Sequence, residues 1–273
     1  MIQHKGQPVT DLGTPETLLL EQRQFTLYIT LNRPRTRNAM NNQMVAELTD
    51  IFARIHGDRT IRAIVLQGSD GTFCSGGDIK EMRNSDITLT DSANNLDRML
   101  SSVNQAPQIV IARVEGSALG GGFGLVCVSD IALADAEAIF GLPEVRLGVA
   151  PSFISPYVIK RIGLTRAREL MLTGRRFGGH VAKEYGIVHE VHAASTLDNA
   201  LTAQIEEISA CAPGAIAAIK NLIFAVDGMP LEATVALRAD LLDALRRGEE
   251  AQEGLLAFME KRPAQWMIGA NDD

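Results

Sequence analysis

Two glycine-rich segments of the sequence could take part in chemistry through their main-chain N–H groups. The first is Phe73-Cys74-Ser75-Gly76-Gly77-Asp78-Ile79, and the second runs from Gly116 to Gly124. Each follows a predicted strand and precedes a predicted helix. Glycine lets main-chain N–H groups approach a ligand closely, and the start of a helix leaves its N–H groups unpaired with a partial positive charge behind them. Two such loops facing one point would form an oxyanion hole.

The spacing of the glycines excludes the common phosphate-binding loops. Gly120–Leu125 breaks the G-x-G-x-x-G pattern of dinucleotide-binding proteins, and no lysine follows Gly77 as a P-loop requires. Tight turns and close helix–strand contacts would explain either glycine cluster by itself. An oxyanion hole is indicated only when both clusters are taken together with the segment 140–151.

Glu144 in that third segment is the candidate acid–base group. It follows Pro143 beside an apolar stretch, where partial desolvation would raise the pKa of its carboxyl towards the working pH. A lone glutamate after proline is otherwise a solvated turn residue.

Other reactive side chains lack the neighbours that their chemistry needs. Cys74 has no His or Lys in local sequence to lower the pKa of its thiol, which favours a space-filling role. Ser75 and Ser152 have no G-x-S-x-G frame, which disfavours a serine hydrolase. His189 and His192 would lie on opposite faces of a predicted strand, so no metal site is expected.

The elements that must position these residues alternate between strands and helices. Hydrophobic periodicity predicts strands at 25–31, 63–66, 109–112 and 130–134, and helices at 44–55 and 78–105. From residue 196 the pattern is helical, with segments at 196–211, 213–227 and 230–262. We therefore expect an α/β protein with a loosely ordered lead-in at 1–20, an α/β core at 21–195 and a helical C-terminal region at 196–273 that serves packing or oligomerisation.

Composition limits the partners. The 273 residues include 26 basic and 33 acidic side chains, a net charge of −7 that would repel a nucleic-acid backbone. Three widely spaced cysteines favour neither a disulfide framework nor structural zinc, and indicate a reducing, cytoplasmic location. No signal peptide and no membrane-spanning run is visible, so no membrane partner is expected.

Several motifs together resemble one family. They are Leu31-Asn32-Arg33-Pro34 with Asn38-Ala39-Met40, Ser75-Gly76-Gly77-Asp78-Ile79, Gly116 to Gly122, the Pro143-Glu144 turn, and Phe258-x-x-Lys261-Arg262. Over residues 25–262 the chain is similar to the crotonase superfamily, the enoyl-CoA hydratase and isomerase group. That resemblance implies a core of repeated ββα units wound into a superhelix, with C-terminal helices that assemble trimers or dimers of trimers.

The resemblance also implies a substrate and a set of roles. The substrate would be an acyl thioester of coenzyme A, so that no separate cofactor is needed. The main-chain N–H groups of Gly77 and Gly121 would be the oxyanion donors, and Glu144 would exchange a proton with the α-carbon. The residues implied in substrate binding are Arg37 and Ala39 near the adenine and phosphates, Phe258 and Lys261 from the C-terminal helix, and Ser75, Asp78, Ile79 and Gly124.

Gly124 departs from the family pattern. The best-known hydratases carry a second glutamate there, and the two carboxylates hold the attacking water between them. Glycine in a helix costs about 1 kcal/mol relative to alanine, which suggests that room is wanted, either for a bulky acyl chain or for helix packing. Glu144 alone could perform the addition, the reaction could be a double-bond shift that needs one base, or catalysis could be weak.

The segments 122–125, 142–148 and 155–158 are similar to bacterial methylglutaconyl-CoA and isohexenylglutaconyl-CoA hydratases. We therefore expect hydration of a branched enoyl-CoA, in which Arg146 would either meet a distal carboxylate or remain a surface residue. An isomerase with Glu144 as sole base, or a non-catalytic acyl-CoA-binding protein, are the alternatives.

Overall fold

Short strands alternate with helices in residues 11–84 and 89–267, the part of the chain that the computed structural model describes. The strands are β1 (Leu18–Arg23), β2 (Thr26–Leu31), β3 (Ala63–Gly68), β4 (Ile109–Val114), β5 (Ser117–Leu119), β6 (Ile131–Asp135), β7 (Ile139–Gly141), β8 (Arg176–Gly178) and β9 (Glu190–His192). The helices are α1 (Asn42–Ile55), α2 (Ile79–Asn84), α3 (Leu89–Asn104), α4 (Gly121–Val128), α5 (Ser155–Thr173), α6 (Gly179–Glu184), α7 (Ala194–Ser209), α8 (Pro213–Val226), α9 (Val235–Arg247) and α10 (Glu249–Glu260). Single 3-10 turns occupy Pro34–Thr36, Pro143–Leu147, Leu231–Thr234 and Gln265–Met267.

The strands form two sheets. The larger has the order β1-β2-β3-β4-β6-β9, in which β1 pairs antiparallel with β2 and the other pairs are parallel. In the smaller sheet β7 lies between β5, its parallel partner, and β8, its antiparallel partner. The chain twice gives one strand to each sheet before it enters a helix, as in β4-β5-α4 and β6-β7-α5. The predicted α/β class with repeated ββα units is confirmed.

Parallel strands bury both of their faces, because helices cover each side of the larger sheet. On β3, Ile64 and Leu66 join the main core, whereas Ala63 and Val65 face a second cluster that includes Leu197 of α7. This two-residue alternation explains why the strands appear in the sequence as continuous apolar runs.

Two sequence predictions need correction, and one sheet was missed. Strand β1 begins at Leu18, inside the expected lead-in, because pairing with β2 makes a strand of a leucine run that has no polar alternation of its own. The helix predicted at 230–262 is interrupted at Gly248, whose backbone is extended. The three strands of the smaller sheet were not predicted, since three residues are too few to show a period. The helix predicted at 78–105 corresponds to α2 and α3, and residues 85–88 lie outside the described part.

The C-terminal helices are attached to the core through a buried ion pair. Lys220 Nζ of α8 donates to Asp130 Oδ2 at 2.6 Å and to the Gln108 carbonyl at 2.8 Å. Burial lowers the pKa of the Lys220 ammonium, and the Asp130 carboxylate opposes that shift. These helices leave many large apolar side chains exposed, including Ile219, Ile223, Phe224, Leu231, Val235, Leu242, Leu255, Leu256, Phe258 and Met259.

No single helix among the described residues has the length and apolar composition needed to cross a bilayer. The consecutive helices α7 and α8 meet the criterion only as a pair, and they are bent by 99° at their junction.

Candidate active site

Main-chain hydrogen bonds tie three loops together at one end of the smaller sheet. The Met40 N–H donates to the Gly76 carbonyl at 2.8 Å, and the Asp78 N–H donates to the Met40 carbonyl at 2.9 Å. Cys74 pairs with Ala118 of β5 as an isolated parallel bridge. The two glycine-rich segments of the sequence are therefore neighbours in space, although they are far apart along the chain.

Glu144 meets both loops at Gly120. A Cβ atom on Gly120 would lie 2.8 Å from Glu144 Oε1 and 3.6 Å from the Gly76 Cα. Gly120 also has a φ of +50°, in the left-handed region that side chains disfavour, and its N–H donates to the Gly141 carbonyl. Only glycine at this position lets the carboxyl approach the loops so closely.

The N–H groups of Gly77 and Gly121 donate no hydrogen bond to any other described residue. Gly77 lies in an exposed part of its loop, and Gly121 is the half-buried first residue of α4. The first N–H groups of a helix have no intrahelical acceptor and sit at the positive end of its dipole. Two free donors thus flank Gly120, the point that the Glu144 carboxyl reaches.

The Glu144 carboxyl is partly removed from water. It belongs to the 3-10 turn Pro143–Leu147, in which proline occupies the first turn. Oε2 is buried without a hydrogen-bond partner among the described residues, and burial raises the pKa of the carboxyl. A carboxyl with a raised pKa is a better base than an ordinary carboxylate and can both accept and return a proton.

Ile154 fills the space over Gly124. Gly124 lies one helical turn beyond Gly120 on α4, and a Cβ there would be 2.3 Å from Ile154 Cγ2 and 3.7 Å from Leu100 Cδ2. Ile154 precedes α5 and is 3% exposed. Of the two explanations that the sequence allows for this glycine, the structure supports close packing of α4 against the start of α5. A second carboxylate cannot occupy position 124 unless Ile154 moves.

The side chains of Ser75 and Asp78 are engaged within the protein. Ser75 Oγ donates to the Thr36 carbonyl at 3.1 Å, and Asp78 Oδ2 pairs with Arg33 Nη2 at 3.0 Å. Asp78 Oδ1 also accepts from the Lys80 N–H at the start of α2. These two predicted binding residues fix the shape of the first loop.

The other predicted binding residues fall into two groups. Arg37 and Ile79 are exposed beside the first loop, and Ala39 is buried there; the Arg37 carbonyl accepts from the Ser75 N–H at 3.1 Å. Phe258 is 83% exposed on α10, and Lys261 caps the end of that helix. The structure brings the first group to the donor loops and places the second on the surface of the C-terminal helices.

The site also depends on residues for which the sequence analysis proposed no role. The Asn38 side chain is fully buried, accepts from the Arg33 N–H at 2.8 Å and donates to the Ser69 and Thr72 carbonyls at 3.0 and 2.6 Å. The sequence could have indicated a role for Asn38, because it is a polar residue within the Asn38-Ala39-Met40 motif. No signal in the sequence indicates Ile154, because its contact with α4 exists only in the folded chain.

Cys74, His189 and His192 each have different neighbours in the structure. Cys74 packs against Gly122, and burial raises the pKa of its thiol to about 11. His189 Nδ1 accepts from the Ala132 N–H, whereas His192 Nε2 contacts Glu190. Within residues 11–84 and 89–267, no group of three or more His, Cys, Asp or Glu side chains could hold a metal ion.

The chain is similar in sequence and structure to known proteins. Residues 21–268 match the family model described as enoyl-CoA hydratase/isomerase. The solved structure of Pseudomonas aeruginosa AtuE is 46% identical with a TM-score of 0.90, over 92% of this chain and 100% of that chain. An enoyl-CoA hydratase/isomerase from Marinobacter aquaeolei is 44% identical with a TM-score of 0.89, over 92% and 99%. The 2,3-dehydroadipyl-CoA hydratase of Escherichia coli is 32% identical over 249 residues, 90% of this chain and 96% of that protein.

The contact between Gly124 and Ile154 can be tested with a double-mutant cycle. Gly124→Ala should lower the free energy of unfolding by about 1–3 kcal/mol because its methyl group overpacks the site, and Ile154→Ala should lower it by about 2–5 kcal/mol. The double variant should be more stable than the sum of the two losses predicts, with a coupling of about 0.5–3 kcal/mol. Urea denaturation measures all four proteins, and strictly additive losses would contradict the proposed contact.

Proposed function

The chain belongs to the enoyl-CoA hydratase/isomerase family, and from that premise we propose that it is a lyase that adds water to a branched, glutaconyl-type enoyl-CoA. The observation that carries the proposal is the pair of N–H groups, at Gly77 and Gly121, that have no acceptor among the described residues and lie next to the half-buried carboxyl of Glu144. A conjugated thioester needs these two things: donors for its carbonyl oxygen and a group that moves protons.

The proposed hydration uses the two N–H donors and the Glu144 carboxyl. The thioester oxygen accepts hydrogen bonds from Gly77 and Gly121, which draws electrons from the double bond. Glu144 removes a proton from water as the water oxygen bonds to the β-carbon and an enolate forms. The protonated Glu144 then returns that proton to the α-carbon. Each donor contributes on the order of 3–4 kcal/mol of transition-state stabilisation in comparable sites.

A single carboxyl can serve both transfers because they occur in succession. The raised pKa of Glu144 supports this, since a strongly acidic carboxyl would be a poor base towards water and a weakly acidic one can hold the proton between steps. All steps are proton transfers and additions, so we propose no cofactor besides the coenzyme A of the substrate.

The branched glutaconyl acyl group is proposed on sequence resemblance in the segments 122–125, 142–148 and 155–158. Arg146 does not support it: its side chain is exposed, and Nε donates to the Thr173 carbonyl at the end of α5 at 3.2 Å. We therefore assign Arg146 to the surface.

We also propose a homo-oligomer, a trimer or a dimer of trimers, assembled through the C-terminal helices. Their exposed apolar side chains support this, because such surface in a folded chain usually marks an interface. Phe258 and Lys261 would then reach the coenzyme of a neighbouring copy, while Arg37 and Ala39 contact it within their own. Light scattering should give three or six times the 29.5 kDa of one chain, and a monomer would contradict the assembly.

The activity is tested with a panel of enoyl-CoA esters that varies in chain length, branching and a distal carboxylate. Loss of the conjugated-thioester absorbance reports turnover, and mass analysis of products made in heavy-oxygen water reports hydration. We expect label in the product, with the fastest rate for a branched glutaconyl ester. Turnover without label would identify an isomerase, and tight binding without turnover of any ester would identify a binding protein.

The role of Glu144 is tested in the same assay with Glu144→Gln. Turnover should be lost while the ester still binds, whereas Glu137→Gln, the same change at an exposed glutamate, should behave as the wild type.

Because burial raises the pKa of Glu144, its ionisation makes the native state less stable as pH rises past the ordinary carboxyl range. Glu144→Gln should therefore unfold at the same or a higher temperature at neutral pH, which excludes unfolding as the cause of inactivity. Retained turnover would contradict the assigned role.

A further inference from the structure

The sulfur atom of Met82 lies against the first candidate donor. Met82 Sδ is 3.3 Å from the position that a Cβ atom on Gly77 would take. Nothing in the proposed reaction uses this thioether. Its position against Gly77 nevertheless makes it chemically significant, because the N–H of that residue has no acceptor among the described residues and is free to bind one that arises close by.

The first turn of α2 holds Met82 in this position. The Met82 N–H donates to the Asp78 carbonyl at 2.9 Å, and Asp78 is itself fixed by its ion pair with Arg33. Glu81 Oε2, one residue earlier on the same helix, accepts from the Asn42 N–H at the start of α1 at 2.8 Å. The backbone that carries Met82 is thus joined to the donor loop on one side and to α1 on the other.

Met82 is also open to solvent, unlike the methionine beside the second donor. Met82 is 63% exposed, whereas Met40, whose Cε lies 3.6 Å from the Cβ position of Gly121, is 6% exposed. Oxidation of thioethers follows their accessibility to the oxidant. A small oxidant in solution would therefore reach the sulfur at Gly77 well before the one at Gly121.

We propose that Met82 is a site of reversible oxidation that inhibits the enzyme by occupying the Gly77 donor. A sulfur lone pair attacks one oxygen of a hydroperoxide, the O–O bond breaks and an S–O bond forms. The proton on the transferred oxygen passes to the departing hydroxide or alkoxide, so that sulfur is oxidised to the sulfoxide and the peroxide is reduced to water or an alcohol. The sulfoxide oxygen is a strong acceptor, and it competes with the thioester oxygen for the Gly77 N–H.

The proposal rests on the proposed function, so its test combines activity with ligand binding. The purified protein is treated with hydrogen peroxide, and peptide mass mapping gives the extent of oxidation at each methionine. As Met82 is oxidised, kcat/KM for the best ester of the panel should fall by about tenfold or more, within the range seen when an oxyanion donor is removed. Binding of butyryl-CoA, a saturated thioester that does not react, should weaken in parallel. The two stereospecific methionine sulfoxide reductases should restore both.

Matched variants separate this site from general damage. Met82→Leu keeps an apolar side chain that peroxide does not oxidise, and its activity and binding should be insensitive to treatment when each is normalised to untreated Met82→Leu. Met229→Leu removes another exposed methionine, in the turn after α8, and should remain as sensitive as the wild type.

Three results would overturn the proposal: Met82 sulfoxide without weaker butyryl-CoA binding, equal losses in Met82→Leu, or oxidation of Met229 with Met82 spared. Absence of turnover in the untreated enzyme would contradict the proposed function alone, since the butyryl-CoA titration would still decide the role of Met82.

Discussion

The candidate site depends on main-chain hydrogen bonds that join three loops while leaving the N–H groups of Gly77 and Gly121 without acceptors in the part of the chain that the structure describes. Met40 pairs across to Gly76 and Asp78, and Cys74 pairs with β5, so that the loops behave as a continuation of the smaller sheet. A main-chain donor held by such pairing needs no reorganisation when charge develops on a ligand, which is the property that makes an oxyanion hole effective. The side chains of Asn38, Ser75 and Asp78 support this pairing.

Close packing of these loops also explains why glycines lie around Glu144. The carboxyl lies against Gly120 only because that residue has no side chain, and its pKa is raised because burial keeps water away from it. On the next turn of α4 the space is taken by Ile154, which packs against Gly124. No carboxylate stands at position 124, so in the proposed mechanism Glu144 carries out both proton transfers.

Much of this could be predicted from the sequence, and the limits have physical causes. The parallel strands were evident because burial on both faces gives uninterrupted apolar runs, and the glycine-rich loops stood out because glycine is costly unless its backbone is needed. Strand β1 and the smaller sheet were missed because they form through pairing and have little pattern of their own. The contact of Ile154 with Gly124 is purely tertiary, so the sequence left open whether that glycine makes room for substrate or for a neighbouring helix.

The most direct test of the central claim removes one main-chain N–H. Gly121 is the first residue of α4, a position where proline is well tolerated, and a Cβ there meets Met40 only at an ordinary 3.6 Å. Gly121→Pro deletes the donor, and Gly121→Ala adds a Cβ but keeps the donor. The account predicts that kcat of the proline variant is lower than that of the alanine variant by about 10²–10³. Equal kcat values in two folded variants would contradict it.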